Sequence, residues 1–350
     1  MSPNELRKDY LLNRWTVIAV ERKRRPTDFV KEIEEKKAVT CPFCPGNEHM
    51  TPPAVLVYVP SNGDIEKEKD QNGFRHKNWL IRCFPNLYPA FSPIHEGETV
   101  KIKEGSDQVL MKAFGHHEVL VESPRHDEHP GAARISQLTY LINAYLDRLN
   151  EISTEPYTKY VSVFRNHRRD AGASLSHAHT QLISTPLVPR IVGEELEASK
   201  KFWMKNKRCT FCEILEKERN SSRFIWENNS FVAFAPWASI HPLEFWIFPK
   251  RHQSTLLDMS QAEINDLAVA LRSCLGGLRT LLKDPPYNFG FHIAASKEDS
   301  DYYHWHLEVY PKLSIWAGFE KNTGMFINVV PPEDAAENLR ESVEKEEKNL

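Results

Sequence analysis

An internal duplication is the feature of this chain that most constrains its fold. Each half carries a Cys-x-x-Cys pair, a segment that ends in a histidine, a long helical stretch and a strand with two histidines. The first copy comprises Cys41, Cys44, His126 and His177, and the second comprises Cys209, Cys212, His252 and His304. The last two histidines are almost equally far apart in the two copies. This matched spacing predicts two fused, similar halves, over residues 1–190 and 191–350.

The paired cysteines and histidines predict one metal site in each half. Structural zinc takes four nitrogen or sulfur ligands in a tetrahedron, and a Cys-x-x-Cys pair is a common half of such a site. Four protein ligands close the coordination shell, so we expect two structural zinc ions that hold the histidine strands in place. His116 and His117 are competing ligand candidates in the first half, although the second half has no histidine at the matching place. For a single Cys-x-x-Cys pair, the alternative is a redox pair or a chance occurrence.

The order of predicted elements favours an α+β fold over a doubly wound parallel sheet. Apolar residues at helical spacing predict an amphipathic helix over residues 132–152. Ser260 and Glu263 form a capping-box signature for a second helix, which runs to about Lys283. A strand-like run and then a histidine strand follow each helix, and another helix is predicted from about Pro332. We therefore expect a duplicated module of two antiparallel-sheet halves, each with one long helix.

Composition and charge exclude several classes of function. The 350 residues carry a formal net charge of -3, which gives no electrostatic case for nucleic acid or an acidic membrane surface as a partner. No apolar run reaches the length of about 18 residues that a transmembrane helix needs. Residues 1–8 are polar and lack the apolar core of a secretory signal. We therefore expect a cytoplasmic protein, in which thiols stay reduced and paired cysteines more often hold metal.

His179 and Gln181 are the predicted catalytic residues. Side chains alternate along a strand, so both residues share a face with His177. If His177 binds metal, His179 is free, and a neutral imidazole is a good nucleophile toward phosphorus. Gln181 can donate an amide hydrogen to a phosphoryl oxygen. The preceding loop, with Gly172 and Ser174, supplies a small residue and a hydroxyl where backbone must approach phosphate closely.

The second histidine strand departs from this pattern. Glu308 stands where the first strand has a glutamine, and no loop like that at Gly172 precedes His306. We therefore expect His306 to be non-catalytic. Neither a Walker phosphate loop nor a GxGxxG motif occurs in the sequence, so phosphate must be bound by another device.

Taken together, these motifs resemble the galactose-1-phosphate uridylyltransferase family of the histidine-triad superfamily, whose members carry a duplicated module and an HxHxQ active-site strand. The resemblance covers nearly the whole chain and implies that His179 is the nucleotidylated histidine, with Gln181 as its phosphate-binding partner. It also implies a set of substrate contacts, namely Arg22, Arg25, Asn86, Asn166, Gly172, Ser174 and Glu320. Cys209 and Cys212 place the chain with the branch that has two zinc sites, which includes plant ADP-glucose phosphorylases. A homodimer is implied as well.

Within this resemblance, individual contacts carry different expected roles. Arg22 and Arg25 fit a basic motif near the substrate phosphates, Asn86 fits a stretch that binds ribose or base, and Glu320 fits a glutamate that contacts hexose hydroxyls. A glutamine that family members use for the hexose has no clear match around residues 325–327.

The main hypothesis is a two-step transferase. His179 takes UMP from UDP-glucose, glucose-1-phosphate leaves, and galactose-1-phosphate accepts the UMP. One rival keeps the chemistry and changes the acceptor to inorganic phosphate, as in an ADP-glucose phosphorylase. A second rival is a hydrolase that uses water, and a third, from another class, is a zinc-binding scaffold without catalysis. A covalent adduct on His179 and the identity of its acceptor discriminate among them.

Overall fold

The computed structural model describes residues 4–19, 26–29, 40–71, 73–94, 102–104 and 109–348. The predicted substrate contacts Arg22 and Arg25 lie outside these ranges. The first half contributes strands β1 (Glu5–Lys8), β2 (Trp15–Ile18), β3 (Leu56–Ser61), β4 (Asp64–Glu68), β5 (Ile81–Pro85), β6 (Ile102–Glu104), β7 (Val109–Met111), β8 (His117–Val121), β9 (Tyr160–His167) and β10 (His179–Thr185). The second half contributes β11 (Phe224–Glu227), β12 (Phe231–Phe234), β13 (Phe245–Pro249), β14 (Tyr287–His292), β15 (His306–Pro311) and β16 (Phe326–Asn328). The helices are α1 (Ile135–Ser153), α2 (Arg190–Asn206), α3 (Thr210–Arg219), α4 (Gln261–Leu282), α5 (Gly318–Thr323) and α6 (Pro332–Glu347).

Strands from both halves form one antiparallel sheet of order β11-β12-β13-β15-β14-β9-β10-β8-β5-β3-β4. Outward from the centre, each half places the strand that follows its long helix, then the histidine strand, then the strand that precedes the helix. The duplication is therefore visible in the topology, and the predicted α+β class with antiparallel sheets is confirmed. Strands β14 and β9 pair directly and join the halves. The domain boundary at residue 190 stays a prediction.

The long helices form where their sequence patterns predict them. At the start of α4, the Glu263 N–H donates to Ser260 Oγ at 3.3 Å and the Ser260 N–H donates to Glu263 Oε2 at 2.7 Å, which is the predicted capping box. Helices α1 and α4 pack on one face of the sheet, and their apolar side chains join those of the strands in one continuous core. Helix α6 begins at Pro332 and packs against α4.

The opposite face of the large sheet carries the chemistry. Thr180 points toward α1, where its hydroxyl lies 2.6 Å from the Tyr145 hydroxyl. Because side chains alternate along β10, His179 and Gln181 face the other way. A small apolar cluster that includes Phe43 and Phe84 lies on that side in the first half, and a separate cluster lies near the Cys-x-x-Cys pair of the second half.

The histidine strands begin later than predicted, at the second histidine of each motif. Strand β10 starts at His179, whose partner Val121 is the last residue of β8, so the ladder ends there. The His177 ring instead donates its Nε2–H to the Ser123 carbonyl at 2.8 Å. His304 likewise precedes β15.

A separate three-stranded sheet of order β1-β2-β16 ties the N-terminal segment to the C-terminal half. Strand β2 pairs antiparallel with β1 and parallel with β16. Helix α5 packs beside this sheet. None of the helices that the structure describes is long and apolar enough to cross a membrane.

Candidate active site and metal centres

The four predicted ligands of the first half converge in the structure. Cys44 Sγ lies 3.3 Å from His126 Nδ1 and 3.5 Å from His177 Nδ1, and Cys41 Sγ lies 3.6 Å from His177 Nδ1. In a tetrahedral zinc site with bonds of about 2.0–2.3 Å, ligand atoms are about 3.5 Å apart. The donor set and its spacing therefore fit zinc.

Hydrogen bonds on the outer side of the rings orient the histidines of this cluster. The His177 Nε2–H is used by the Ser123 carbonyl, and His126 Nε2 lies 2.9 Å from Ser176 Oγ. Burial lowers the pKa of His177 to about 4, so its imidazole is neutral near pH 7. Neutral rings with Nδ1 turned to the centre are the form that binds a metal ion.

The second cluster repeats this geometry with Cys209, Cys212, His252 and His304. Cys212 Sγ lies 3.3 Å from His252 Nδ1 and 3.4 Å from His304 Nδ1, and the four ligand atoms lie within 4.8 Å of one another. His252 Nε2 donates to the Ser300 carbonyl at 2.6 Å. An open surface groove runs beside this cluster, so solvent can reach it.

His179 is placed and protonated as a nucleophile requires. Its Nδ1–H donates to the His177 carbonyl at 2.8 Å, which leaves the lone pair on Nε2. The side chain is 6% exposed, and this burial lowers its pKa below the ordinary value. The Phe43 ring packs edge-on at 5.4 Å between centroids. The backbone of His177 therefore connects the first metal cluster directly to a neutral imidazole.

Two amide side chains lie on the same face of the sheet as His179. Gln181 is half-buried, and its Oε1 lies 2.8 Å from His117 Nε2. Asn166 projects from the neighbouring strand β9, and its Oδ1 accepts from Asn288 Nδ2 at 2.8 Å. Amide groups of this kind can donate hydrogen bonds to phosphoryl oxygens.

The loop before β10 brings exposed backbone next to Asn166. Gly172 has φ of 94°, a left-handed conformation that favours glycine. A Cβ built on Gly172 would lie 3.7 Å from Asn166 Nδ2, so the loop and this amide are neighbours. Ser174 is exposed two residues later. The structure thus places Gly172 beside Asn166, and the contacts of these residues and Ser174 with phosphate stay predictions.

The remaining predicted contacts lie in two places. Asn86 follows β5, donates its backbone N–H to the His117 carbonyl at 2.7 Å, and so borders the site. Glu320 lies in α5, where its Oε2 accepts from the Ala317 N–H at 2.9 Å. Within the part of the chain that the structure describes, no hydrogen bond links Glu320 to β10. Its role toward a hexose stays a prediction.

His116 and His117 do not join the first metal cluster, so the prediction that they are competing ligands is wrong. His116 Nε2 lies 3.1 Å from the Tyr157 hydroxyl, and the two rings are stacked. His117 contacts Gln181 instead. The cluster excludes both because its centre lies beyond the end of β8, where Cys41 and Cys44 approach the loop that carries the ligand histidines.

A third group of possible ligands was not predicted from the sequence. Glu195, His292, His306 and Glu308 place one ligand atom each within 4.8 Å of one another. The His292 Nδ1–H lies 3.1 Å from Glu195, and the Tyr303 hydroxyl donates to Glu195 at 2.7 Å. Burial alone would lower the pKa of His292, but Glu195 and Glu308 together raise it to about 9. A proton on His292 or a divalent cation could balance the two carboxylates.

The missed group has no local sequence signature. Glu195 comes from α2, His292 from β14 and the other two from β15, so only their pairing in the sheet brings them together. The alternation of His306 and Glu308 on one strand was the available signal, and the register of β14 against β15 supplies His292 opposite His306.

Two family models match this chain. One, described as galactose-1-phosphate uridyl transferase, N-terminal domain, matches residues 2–189. The other, a domain of unknown function (DUF4921), matches residues 121–349. Together they cover both copies of the duplicated module.

Similar proteins cover nearly the whole chain. The ADP-glucose phosphorylase of Arabidopsis thaliana is 34% identical over 343 residues, which are 96% of this chain and 92% of that protein. The galactose-1-phosphate uridylyltransferase of Thermotoga maritima is 28% identical over 347 residues, which are 97% of this chain and 98% of that protein.

Solved structures agree with the sequence comparison. The crystal structure of an ADP-glucose phosphorylase from Arabidopsis thaliana with bound ADP-glucose superposes with a TM-score of 0.79 at 33% identity, covering 97% of this chain and 99% of the other. A uridylyltransferase structure superposes with a TM-score of 0.73 at 27% identity, covering 97% and 99%. The family model matched over more than half of the chain, together with 34% identity over nearly its full length, shows that the chain belongs to the galactose-1-phosphate uridylyltransferase family of enzymes.

Proposed function

We propose that this enzyme transfers a nucleotidyl group from a nucleoside diphosphate hexose through a covalent bond to His179. The observation that carries the proposal is the state of that imidazole. It is neutral, its Nδ1–H is held by the His177 carbonyl, and its Nε2 lone pair lies on the face that carries two amide donors. A neutral, oriented imidazole beside hydrogen-bond donors for phosphoryl oxygens is suited to nucleophilic catalysis at phosphorus.

The reaction proceeds in two displacements at the same phosphorus atom. The Nε2 lone pair of His179 attacks the α-phosphorus, the bond from that atom to the bridging oxygen breaks, and the hexose-1-phosphate leaves with the electron pair. An oxygen of the second substrate then attacks the α-phosphorus, and the phosphorus–nitrogen bond breaks with its electrons returning to Nε2. Gln181 and Asn166 would stabilise the charge that develops on the non-bridging oxygens in both steps.

For the substrates, we propose ADP-glucose as the donor and inorganic phosphate as the acceptor, with ADP and glucose-1-phosphate as products. The support comes from the Arabidopsis ADP-glucose phosphorylase, at 34% identity and a TM-score of 0.79, against 28% and 0.73 for the uridylyltransferases compared above.

The second candidate is the uridylyltransferase reaction, with UDP-glucose as donor and galactose-1-phosphate as acceptor. The family model over residues 2–189 and the Thermotoga maritima relative favour it. Both candidates use the same nucleophile, so they differ only in the base of the donor and in the acceptor.

We further propose that both Cys2His2 clusters hold zinc with a structural role. Each set offers four nitrogen or sulfur donors within 4.8 Å of one another, which closes a tetrahedral shell and leaves no position for a substrate. Bound zinc would supply a rigid crosslink between the Cys-x-x-Cys segment and the loop that precedes each histidine strand.

Intact-protein mass spectrometry after separate incubations with ADP-glucose and UDP-glucose tests the proposal. The reactions are quenched at alkaline pH because phosphoramidates are acid-labile. We expect an AMP adduct on His179 that inorganic phosphate discharges as ADP. A UMP adduct that only galactose-1-phosphate discharges would establish the second candidate instead.

The His179→Asn variant is the matched control, because asparagine can keep the hydrogen bond to the His177 carbonyl but offers no nucleophilic nitrogen. It should form no adduct and keep the wild-type melting temperature. Free AMP released from an adduct without added acceptor would favour a hydrolase. An adduct that persists in His179→Asn would refute the assignment of the nucleophile.

A further inference from the structure

We propose that His117 and Asn288 are positioning residues, which turn the amides of Gln181 and Asn166 so that both present N–H donors to the phosphoryl group. The inference rests on the proposed function of His179 and adds to it two residues that touch neither the nucleophile nor the phosphorus. An amide side chain can present either its carbonyl oxygen or its NH2 group, and only the NH2 group stabilises a phosphoryl oxygen. Something must therefore fix which end faces the substrate.

For Gln181, a backbone donor settles the orientation through His117. The Ala90 N–H donates to His117 Nδ1 at 3.0 Å, so that nitrogen carries no proton in the neutral ring. The proton is then on Nε2, which lies 2.8 Å from the Gln181 side chain and 3.1 Å from Asn86 Nδ2. The Asn86 oxygen accepts from the Tyr88 N–H, so Asn86 presents its nitrogen to the ring and cannot be the acceptor. An Nε2–H needs an acceptor, so the Gln181 oxygen faces His117. The amide NH2 of Gln181 is left for another partner.

The register of β8 against β10 gives this contact a direction. His117 pairs with Ile183, and Val121 pairs with His179. His117 therefore lies on the side of Gln181 away from the nucleophile, and it draws the carbonyl oxygen to that side. Within the described part of the chain, no group accepts a hydrogen bond from Gln181 Nε2.

For Asn166, the same logic works through Asn288. Asn288 Nδ2 donates to the Ala171 carbonyl at 2.7 Å, which identifies that atom as the nitrogen of its amide. The same nitrogen lies 2.8 Å from Asn166, so the Asn166 atom that faces it is the oxygen. Asn166 Nδ2 then faces the loop at Gly172, where a Cβ would lie 3.7 Å away.

Fixing both amides before the substrate binds has a kinetic consequence. Donors that are already oriented need no reorganisation when negative charge develops in the transition state. Loss of a positioning residue should therefore lower the rate of nucleotidylation at saturating donor more than it weakens donor binding. Position 117 tests this best, because glutamine there could still place an N–H near the Nε2 position, whereas phenylalanine could not.

The experiment measures single-turnover adduct formation with ADP-glucose in His117→Phe, His117→Gln, Gln181→Ala and the double variant His117→Phe/Gln181→Ala. We expect His117→Phe to lower the rate constant at least about tenfold, in line with the loss of an oriented donor, and to change the half-saturating donor concentration less than about threefold. His117→Gln should stay within about threefold of wild type. In the Gln181→Ala background, His117→Phe should change the rate less than about twofold, because the group that it orients is gone.

His116→Phe is the matched control, since it removes the neighbouring imidazole, whose partner is Tyr157. It should leave the rate unchanged. A wild-type rate in His117→Phe, an equal loss in the Gln181→Ala background, or an equal loss in His116→Phe would each overturn the role of His117. Asn288→Leu with Asn166→Ala gives the corresponding cycle for the second amide, with the same expected non-additivity and the same refuting result.

Failure of the proposed function is distinguishable from failure of this inference. If the wild-type protein forms no adduct with either nucleotide sugar, the reaction is wrong, and the orientation is decided by ¹⁵N NMR of the imidazoles. His117 should carry its proton on Nε2 at neutral pH. A proton on Nδ1 would overturn the inference whatever the activity.

Discussion

At the scale of single residues, burial determines how His179 responds to pH. Its pKa is lowered from the ordinary 6.5 by desolvation, with the hydrogen bond to the His177 carbonyl acting in the opposite sense and losing. A histidine whose pKa is lowered stays neutral, and so keeps its nucleophilic lone pair, at pH values where an exposed histidine is already charged. The lowered pKa should therefore affect the rate of adduct formation at acidic pH.

We therefore predict that the rate of adduct formation stays on its plateau as the pH falls through 6.5 and declines only below that value. Single-turnover measurements from neutral to mildly acidic pH, each quenched in alkali, give the profile. The melting temperature at each pH serves as the control for acid unfolding. An inflection at or above 6.5, with the protein still folded, would contradict the prediction.

At the residue scale, the sequence predicts the metal ligands, which occur in two copies, and misses the positioning residues, which occur only once. The Cys2His2 sets are readable because two copies with matched spacing support each other. His117 and Asn288 are unreadable in that way, because each acts through one hydrogen bond to a side chain on a neighbouring strand. Only the strand register makes them neighbours of the site.

At the scale of elements, local signals predict helices and strands well and strand starts less well. Ser260 and Glu263 mark the start of α4 because both halves of a capping box lie within four residues. His177 was expected on the strand because the histidines alternate. The pairing of β10 with β8 ends at Val121, and this limit is set by a strand that is distant in the sequence. The His177 ring is therefore held by the Ser123 carbonyl instead.

The segment before β10 couples metal binding to the nucleophile, and this yields a prediction about metal removal. Loss of the first cluster frees the His177 ring, whose backbone carbonyl holds His179 Nδ1–H. We predict that Cys44→Ser binds one zinc ion instead of the two that the two clusters can hold and forms adduct at a rate at least about tenfold lower. Elemental analysis and single-turnover kinetics measure both quantities.

The matched variant in the other half is Cys212→Ser. It should also lose one zinc ion and some thermal stability, yet form adduct normally at a temperature where it is folded. This contrast separates a local effect on His179 from general destabilisation. Equal kinetic losses in Cys44→Ser and Cys212→Ser would argue against the coupling through His177.

At the scale of the whole molecule, the pseudo-symmetric sheet places the third ligand group at the position that matches the catalytic site. His306 matches His179, and it too donates its Nδ1–H to the carbonyl two residues earlier, at 3.2 Å. Glu308 matches Gln181. These correspondences follow from the equivalent places of β15 and β10 in the sheet.

The register extends the correspondence to the second amide. Glu308 pairs with Gly290 on β14, as Gln181 pairs with Phe164 on β9. Two residues beyond these partners stand His292 in the second half and Asn166 in the first. The two amides that are predicted to face phosphate are therefore replaced by an imidazole and a carboxylate. His292 pairs with Glu195 at 3.1 Å, and Glu308 lies 3.3 Å from His306 Nε2.

The last prediction follows from this exchange of chemistry. His306 is 0% exposed, and its ring stacks on Phe248 at 4.7 Å, so a substrate cannot reach it. We predict that His306→Asn forms the adduct within about threefold of the wild-type rate but unfolds more easily, by about 3 kcal/mol, because the buried Glu308 loses the imidazole that lies 3.3 Å from its Oε1. His179→Asn should do the reverse, since it removes the nucleophile while asparagine can keep the hydrogen bond to the His177 carbonyl. Adduct kinetics and chemical denaturation of the two variants, measured side by side, test the pair. Loss of adduct formation in a folded His306→Asn protein would mean that the second half takes part in catalysis, and the division of the duplicated fold into a reactive half and a stabilising half would then be wrong.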